Sequence, residues 1–206
     1  MAGEWIATVG NADQLKTLIT GPFLKGHREP RLAMVGRSNV GKSSLINSLL
    51  GTRLAQVSAE PGKTRLIHFY AWKEASKIIV DLPGYGYARV SQSDRKKWAE
   101  LIQAYIKADK NLEGALLLVD SRNGPSTLDR EAYEFLVSTG LPVYVVFTKS
   151  DGLKTQKERA ERRKDADDIL REMGVDPDSA VWVSSRSGSR MNELVNLIRG
   201  SAEEKK

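Results

Sequence analysis

An α/β domain with a mostly parallel six-stranded sheet, one antiparallel edge strand and helices on both faces is the fold class this sequence predicts. Three observations carry that expectation. Short apolar runs such as residues 115–119 and 143–147 are continuous rather than alternating, as in strands buried on both faces. Segments with helical spacing follow most of these runs. Polar motifs stand where the strands end, which is where open α/β sheets bind ligands.

In chain order, residues 1–27 read as an N-terminal extension, residues 28–200 as a single domain, and residues 201–206 as a disordered tail. The first strand spans 31–35, and the helix after it carries Leu45, Ile46, Leu49 and Leu50, with Gly51 placed to stop it. Residues 66–72 and 77–80 read as a hairpin with its turn near Lys73, which supplies the antiparallel edge strand. In 91–108 the apolar residues Trp98, Leu101, Ile102, Tyr105 and Ile106 fall on one helical face, with Ser91 or Ser93 as cap. A strand at 115–119 ends at Asp120, and a helix over 127–138 is closed by Gly140. Further alternation gives a strand at 143–147, a helix at 154–173, a strand at 180–183 and a helix at 191–198.

Between the first strand and its helix lies Gly36-Arg37-Ser38-Asn39-Val40-Gly41-Lys42-Ser43, followed by Ser44, the phosphate-binding loop pattern G-x-x-x-x-G-K-[ST]. Each residue type there has a physical duty. Gly36 and Gly41 permit dihedrals and close approach that a Cβ would hinder. Successive amides surround a phosphate at the positive end of the following helix. Lys42 brings a mobile cation to the outer phosphates, and the Ser43 hydroxyl suits Mg²⁺.

Three further motifs build on that loop. Asp81-Leu82-Pro83-Gly84 follows a strand, so Asp81 can reach the Mg²⁺ shell through water and the Gly84 amide can meet a γ-phosphate. Thr64, in Gly62-Lys63-Thr64-Arg65-Leu66, lies 21 residues after Ser43 and is placed to complete the Mg²⁺ sphere. Thr148-Lys149-Ser150-Asp151 decides the base. A carboxylate accepts from guanine N1–H and N2–H₂, whereas adenine offers an acceptor at N1 and would be repelled. The Lys149 stem can lie over the base, and Ser184 and Ser185, just after the last strand, can offer backbone amides to guanine O6, with Val183 beside them in the nucleotide-binding set.

Bulk properties bound the rest. The 206 residues contain no cysteine, which excludes disulfides, thiolate metal sites and cysteine nucleophiles. An early acid and no apolar core in the first residues argue against a signal peptide. Apolar runs of five residues fall far short of the roughly 20 that span a bilayer, so a cytoplasmic protein without a membrane span is expected. The net charge of +6 permits a polyanionic partner. Residues 154–164 hold six Lys/Arg and two Glu, either a solvated helix face or a contact for RNA phosphates. His27 and His68 form no ligand cluster.

The stretches GRSNVGKSSLINSL, PGKTRLIHFY, DLPGYGYA, TKSD and VSS resemble the translation-factor-related small GTPases. Closer still is the EngB family, also called YihA or YsxC, and the similarity runs from about residue 28 to 198. The resemblance implies a single Ras-like G domain that binds GTP and GDP with Mg²⁺ and hydrolyses GTP slowly. It also implies a switch in assembly of the large ribosomal subunit or its precursor, a role in normal cell division, and a monomer. Lys42, Thr64 and Gly84 would then be the catalytic set, and Ser43 and Thr64 the direct metal ligands.

Two departures from the Ras-like pattern stand out. The water-orienting glutamine after D-x-x-G is replaced by Tyr85, and Thr148 replaces the common asparagine of N-K-x-D. The water-orienting residue is thus left open. Asn39 stands where K⁺-activated GTPases place a cation-coordinating asparagine, which makes K⁺ one candidate activator. Docking on the ribosomal particle, with rearrangement of Tyr85 and Tyr87, is another. A metabolic kinase would share the phosphate loop but has no need of TKSD. A nucleotide-gated scaffold with negligible turnover would keep every binding motif.

Overall fold

The computed structural model describes residues 3–21, 26–55, 66–86 and 92–200. Among them the sheet has seven strands in the order β1-β3-β4-β2-β5-β6-β7. These are β1 (Glu4–Val9), β2 (Arg31–Gly36), β3 (Ile67–Trp72), β4 (Lys77–Asp81), β5 (Leu112–Asp120), β6 (Val143–Thr148) and β7 (Val181–Trp182). From β4 to β7 all pairings are parallel, while β3 pairs antiparallel with both β4 and β1.

The expectation of six strands is corrected to seven, and the antiparallel strand β3 lies inside the edge rather than at it. The segment read as an extension supplies both β1 and a helix, α1 (Ala12–Thr20). A register shift between Trp5 and Ala7 places Ile6 and Ala7 both in the interior. That bulge breaks the period-two pattern by which a half-buried strand is recognised. The helix was signalled: the Asn11 side chain accepts from the Gln14 amide at 2.9 Å, and the Gln14 side chain accepts from the Gly10 amide at 2.8 Å.

The remaining helices match the sequence pattern: α2 (Lys42–Leu50), α3 (Gln92–Ala108), α4 (Thr127–Ser138), α5 (Gln156–Glu172) and α6 (Met191–Gly200). They cover the sheet on two faces. Leu32 and Met34 of β2, with Leu116 and Leu118 of β5, pack with α2 and α6 through Leu45, Ile46, Leu194 and Ile198. The alternate residues Ala33, Val35, Ala115, Leu117 and Val119 pack with α1, α3, α4 and α5 through Leu15, Tyr105, Leu136 and Leu170. Period-two alternation between two buried faces explains the continuous apolar runs.

At the amino ends of the parallel strands, Arg31 is ion-paired with Asp109 and Lys77 with Glu113, all four side chains largely buried. The Arg31 guanidinium also donates to His27 O at 3.0 Å, and Asp109 accepts the Asn111 amide at 3.1 Å. A cavity of about 340 Å³ opens at this end of the sheet, between Trp5, Trp72 and Lys77. The charged groups that line it have partners: Lys73 lies 2.8 Å from Glu4 and Lys77 is paired with Glu113, while the His27 ring lies 3.6 Å from Glu29.

Candidate functional site

The carboxyl ends of β2, β4, β5 and β6 converge on one rim, because these strands run parallel in adjacent positions. The phosphate loop follows β2. Gly41 caps α2 in a left-handed conformation (φ 102°) with no side-chain cap, so the first amides of the helix face outward for an anion. Asn39 is also left-handed, at φ 63°. At Gly36 a Cβ would stand 2.8 Å from Val40 Cγ1 and 3.1 Å from Leu118 O, so the turn admits only glycine there. Val40 is buried beneath the loop and pins it to the core. Arg37, Ser38, Ser43 and Ser44 are half-buried around it.

Lys42 is ion-paired through Nζ with Asp81, which ends β4 beside Met34 of β2. The pair brings together the cation for the outer phosphates and the carboxylate expected in the outer Mg²⁺ shell. The donors fit such an ion: the Ser43 hydroxyl at the start of α2 and the Asp81 carboxylate at the end of β4 are hard oxygen groups. One hydroxyl, phosphate oxygens and waters are what Mg²⁺ favours. When bound, the ion would neutralise charge developing on the phosphates. Ser43, in the first turn of α2, would hold it through its hydroxyl. Gly62, Lys63, Thr64 and Arg65 lie outside the described residues, and Leu66 is half-buried just before β3.

After Asp81 the chain is zipped onto the phosphate loop. Leu82 N donates to Met34 O at 3.2 Å, Tyr85 N to Gly36 O at 3.3 Å, and Ser38 N to Tyr85 O at 3.0 Å. Gly84 is so close that a Cβ there would meet Gly36 O and Ser38 Oγ at 3.3 Å. Pro83 O accepts the Trp98 indole N–H at 2.7 Å, which ties this segment to α3. Tyr85 turns its ring toward α3 and α4. It lies edge-on to Trp98 at 5.8 Å and donates its hydroxyl to Asp129 at 2.8 Å. Burial, and then the Asp129 carboxylate, raise the pKa of that hydroxyl far above its usual value, so it acts as a fixed donor. Tyr85 is a structural peg in this conformation, and its backbone is what touches the loop.

The base motif is equally anchored. Thr148 Oγ1 lies 2.5 Å from Val40 O and 3.2 Å from Val119 O, so the hydroxyl does tie this segment to the phosphate loop. Lys149 is left-handed (φ 57°), and its ammonium donates to Asn39 O. Its stem runs along Gly41, with Cε 3.5 Å from where a Cβ would stand. Ser150 N donates to Val183 O at 3.1 Å, joining β6 and β7 at this rim. Asp151 accepts the Ser184 hydroxyl at 2.7 Å, and that bond leads in lowering its pKa, so the carboxylate is ionised as guanine recognition requires. One role is corrected. Ser184 N already donates to Ser189 O at 3.1 Å, so its amide is taken up within the fold, and its hydroxyl is what it presents to Asp151. Ser185 is half-buried beside it.

Sequence reasoning missed Asp129, Asp120 and Arg122. For Asp129 a signal existed, since Ser126 and Asp129 form a capping box at the start of α4. The basic run proves largely self-satisfied. Lys157 pairs with Glu161 and Arg162 with Asp165, Arg159 donates to Leu153 O, and Arg163 lies over the Trp182 ring at 5.9 Å.

A family model described as 50S ribosome-binding GTPase matches residues 31–149. The chain is 41% identical over 170 residues to a probable GTP-binding protein EngB of Pelotomaculum thermopropionicum, covering 82% of this chain and 84% of the relative. It is 44% identical over 176 residues to the EngB of Desulfovibrio desulfuricans, covering 85% and 83% respectively. Among solved structures, a probable GTP-binding protein engB superposes with a TM-score of 0.67 at 26% identity, covering 85% of this chain and all of that one. Era of Aquifex aeolicus bound to GDP and aluminium fluoride gives a TM-score of 0.65 at 25% identity, over 83% of this chain and 56% of that one. The phosphate loop, the D-L-P-G segment and the base motif meet on one rim of a Ras-like sheet, and with this similarity they place the chain in the EngB family of P-loop GTPases.

Proposed function

We propose that this GTPase works as a nucleotide-dependent switch in assembly of the large ribosomal subunit, and through it in normal cell division. The observation that carries this reading is the position of Gly84. Its backbone lies against the Ser38 amide, so a γ-phosphate entering the loop must displace or re-form the contacts of residues 82–85. Trp98 and Tyr85 connect that segment to α3 and α4, giving the change a path to the surface. The partner is suggested by the family model, whose description names 50S ribosome binding. Among the described residues no helix is long and apolar enough to cross a membrane. A monomer acting in the cytoplasm completes the proposal.

In the reaction itself water attacks the γ-phosphate, and the loop amides with Lys42 stabilise the charge that develops. Ser43 and Thr64 would hold Mg²⁺, with Asp81 reached through water. Lys42, Thr64 and Gly84 are the catalytic set of this reading, which assigns the water to no side chain among the described residues. The Tyr85 hydroxyl, bonded to Asp129, also favours a second reading, a gated scaffold with negligible turnover.

Co-sedimentation with large-subunit precursors tests the switch. The chain is expected to pellet with them under GTP or a non-hydrolysable analogue and to stay in solution under GDP, with ATP unable to displace GTP. Equal pelleting under every nucleotide would refute the switch. GTP turnover that stays flat when the particles are added would favour the scaffold.

K⁺ is proposed as a further cofactor at Asn39, whose side chain is exposed at the mouth of the loop in a left-handed residue. Turnover several-fold faster in K⁺ than in Na⁺ at matched ionic strength is expected. Equal rates would remove the ion from the mechanism.

A further inference from the structure

Asp120 closes β5 at the rim of the nucleotide site, between the phosphate loop and the base motif. Its carboxylate is shared by two cations. The Arg122 guanidinium donates through Nε at 2.9 Å and Nη2 at 2.7 Å, and the Lys149 ammonium donates at 2.9 Å. The same ammonium reaches Asn39 O. One lysine nitrogen therefore joins the phosphate loop, the end of β5 and the base motif that follows β6. Arg122 makes a second contact with that motif. At Gly152, directly after Asp151, a Cβ would stand 2.7 Å from Arg122 Cδ and 2.9 Å from Cγ, so the arginine stem lies flat on the turn that presents Asp151.

We propose that Asp120 is a positioning residue for guanine-nucleotide binding: it fixes the Lys149 ammonium so that the lysine stem forms one wall of the base slot, and Arg122 braces both Asp120 and the Asp151 turn. The inference rests on the reading of this rim as the GTP site. Its physical basis is geometric. Lysine has four rotatable side-chain bonds, and ordering a long, flexible side chain has an entropic cost that a fixed counter-charge offsets before the ligand arrives. Asn39 O alone gives one acceptor to a group with three donors. Burial would raise the Asp120 carboxyl, but the hydrogen bonds from Arg122 and Lys149 outweigh it and hold it at about 2, so the anchor stays charged at any working pH. Removing the carboxylate leaves two neighbouring cations facing each other at the rim, which drives Lys149 away from the slot.

Asp120 also accepts the Arg122 amide at 3.1 Å within its own turn, so a structural role must be separated from a positioning one. Release of fluorescently labelled GDP does this in a double-mutant cycle. D120N is expected to speed release about tenfold, the worth of one hydrogen bond to a charged group. K149M is expected to speed it further, and D120N added to K149M to change nothing more. A merely structural Asp120 would multiply the effects of the two substitutions. That result, or an unchanged release rate in D120N, overturns the proposal. Should D120N fail to fold, R122M, which keeps the apolar stem on the Asp151 turn and removes only the guanidinium, replaces it in the same cycle and is expected to act in the same direction, again only while Lys149 is present. A wild-type chain that binds GDP no better than ADP would overturn the reading of the site and this inference with it. Normal guanine preference with no effect at Asp120 or Arg122 overturns this inference alone.

Discussion

Asp151→Asn is expected to lower GTP affinity by about a thousandfold and to confer binding of xanthosine triphosphate, because a site built around paired polar groups rejects the unmatched base by such factors. The carboxylate accepts from both N1–H and the exocyclic amine of guanine. An asparagine in its place sets an N–H₂ against that amine, leaving two buried donors face to face. Xanthine carries a carbonyl at the same ring position, which the amide can meet. The frame should hold the new side chain well, since the Ser184 hydroxyl bonds the oxygen of residue 151 at 2.7 Å and the fully buried Ser184 is itself fixed by the Ser187 amide at 3.1 Å. Asp151 is only half-buried, so thermal stability should barely change. Displacement of labelled GDP by GTP and by xanthosine triphosphate gives the answer. Unaltered GTP affinity would take Asp151 out of the base site.

The second large effect concerns stability. Asp109→Ala is expected to destabilise the fold by about 3–5 kcal/mol, because it strands a buried guanidinium. Arg31 has a side chain only 3% exposed, and besides Asp109 its guanidinium donates to His27 O. For a chain of this length, the melting temperature should fall on the order of 10 °C, read by calorimetry without nucleotide. The nucleotide rim lies at the opposite ends of the same strands, so GDP affinity of the folded protein should be spared. Adding Arg31→Met should restore most of the loss, since an apolar pair often substitutes for a buried ion pair at little cost. A double variant as unstable as Asp109→Ala would show that the unpaired charge is not the cause.

The nucleotide rim was legible because its chemistry is local. The loop from Gly36 to Ser43 and the run from Thr148 to Asp151 each place their working atoms within a few consecutive residues, and parallel strands bring them together. The tertiary partners of Asp120, Arg122 and Asp129 were not legible, although the capping role of Asp129 was. Each acts on a partner tens of positions away, and that proximity exists only once β5 lies between β2 and β6. The cations of residues 154–164 lie beside neighbouring acids, a carbonyl and an indole ring, as the solvated helix face expected for them would place them. Spacing misled at β1, because its bulge hides the strand from any period-two pattern.

That strand has a consequence for handling the protein. β3 reads Ile-His-Phe-Tyr-Ala-Trp, and every residue from Ile67 to Ala71 is aligned with β1. A chain trimmed to begin near residue 28 would keep all the nucleotide motifs and yet present the bare backbone of β3, a straight apolar ribbon ready to recruit another copy. The bulged strand β1 is a poorer template, twisted by its irregularity and flanked by Glu4 and Lys73. Colloidal behaviour in concentrated solution is therefore expected to be set at β1, a strand that carries none of the nucleotide motifs.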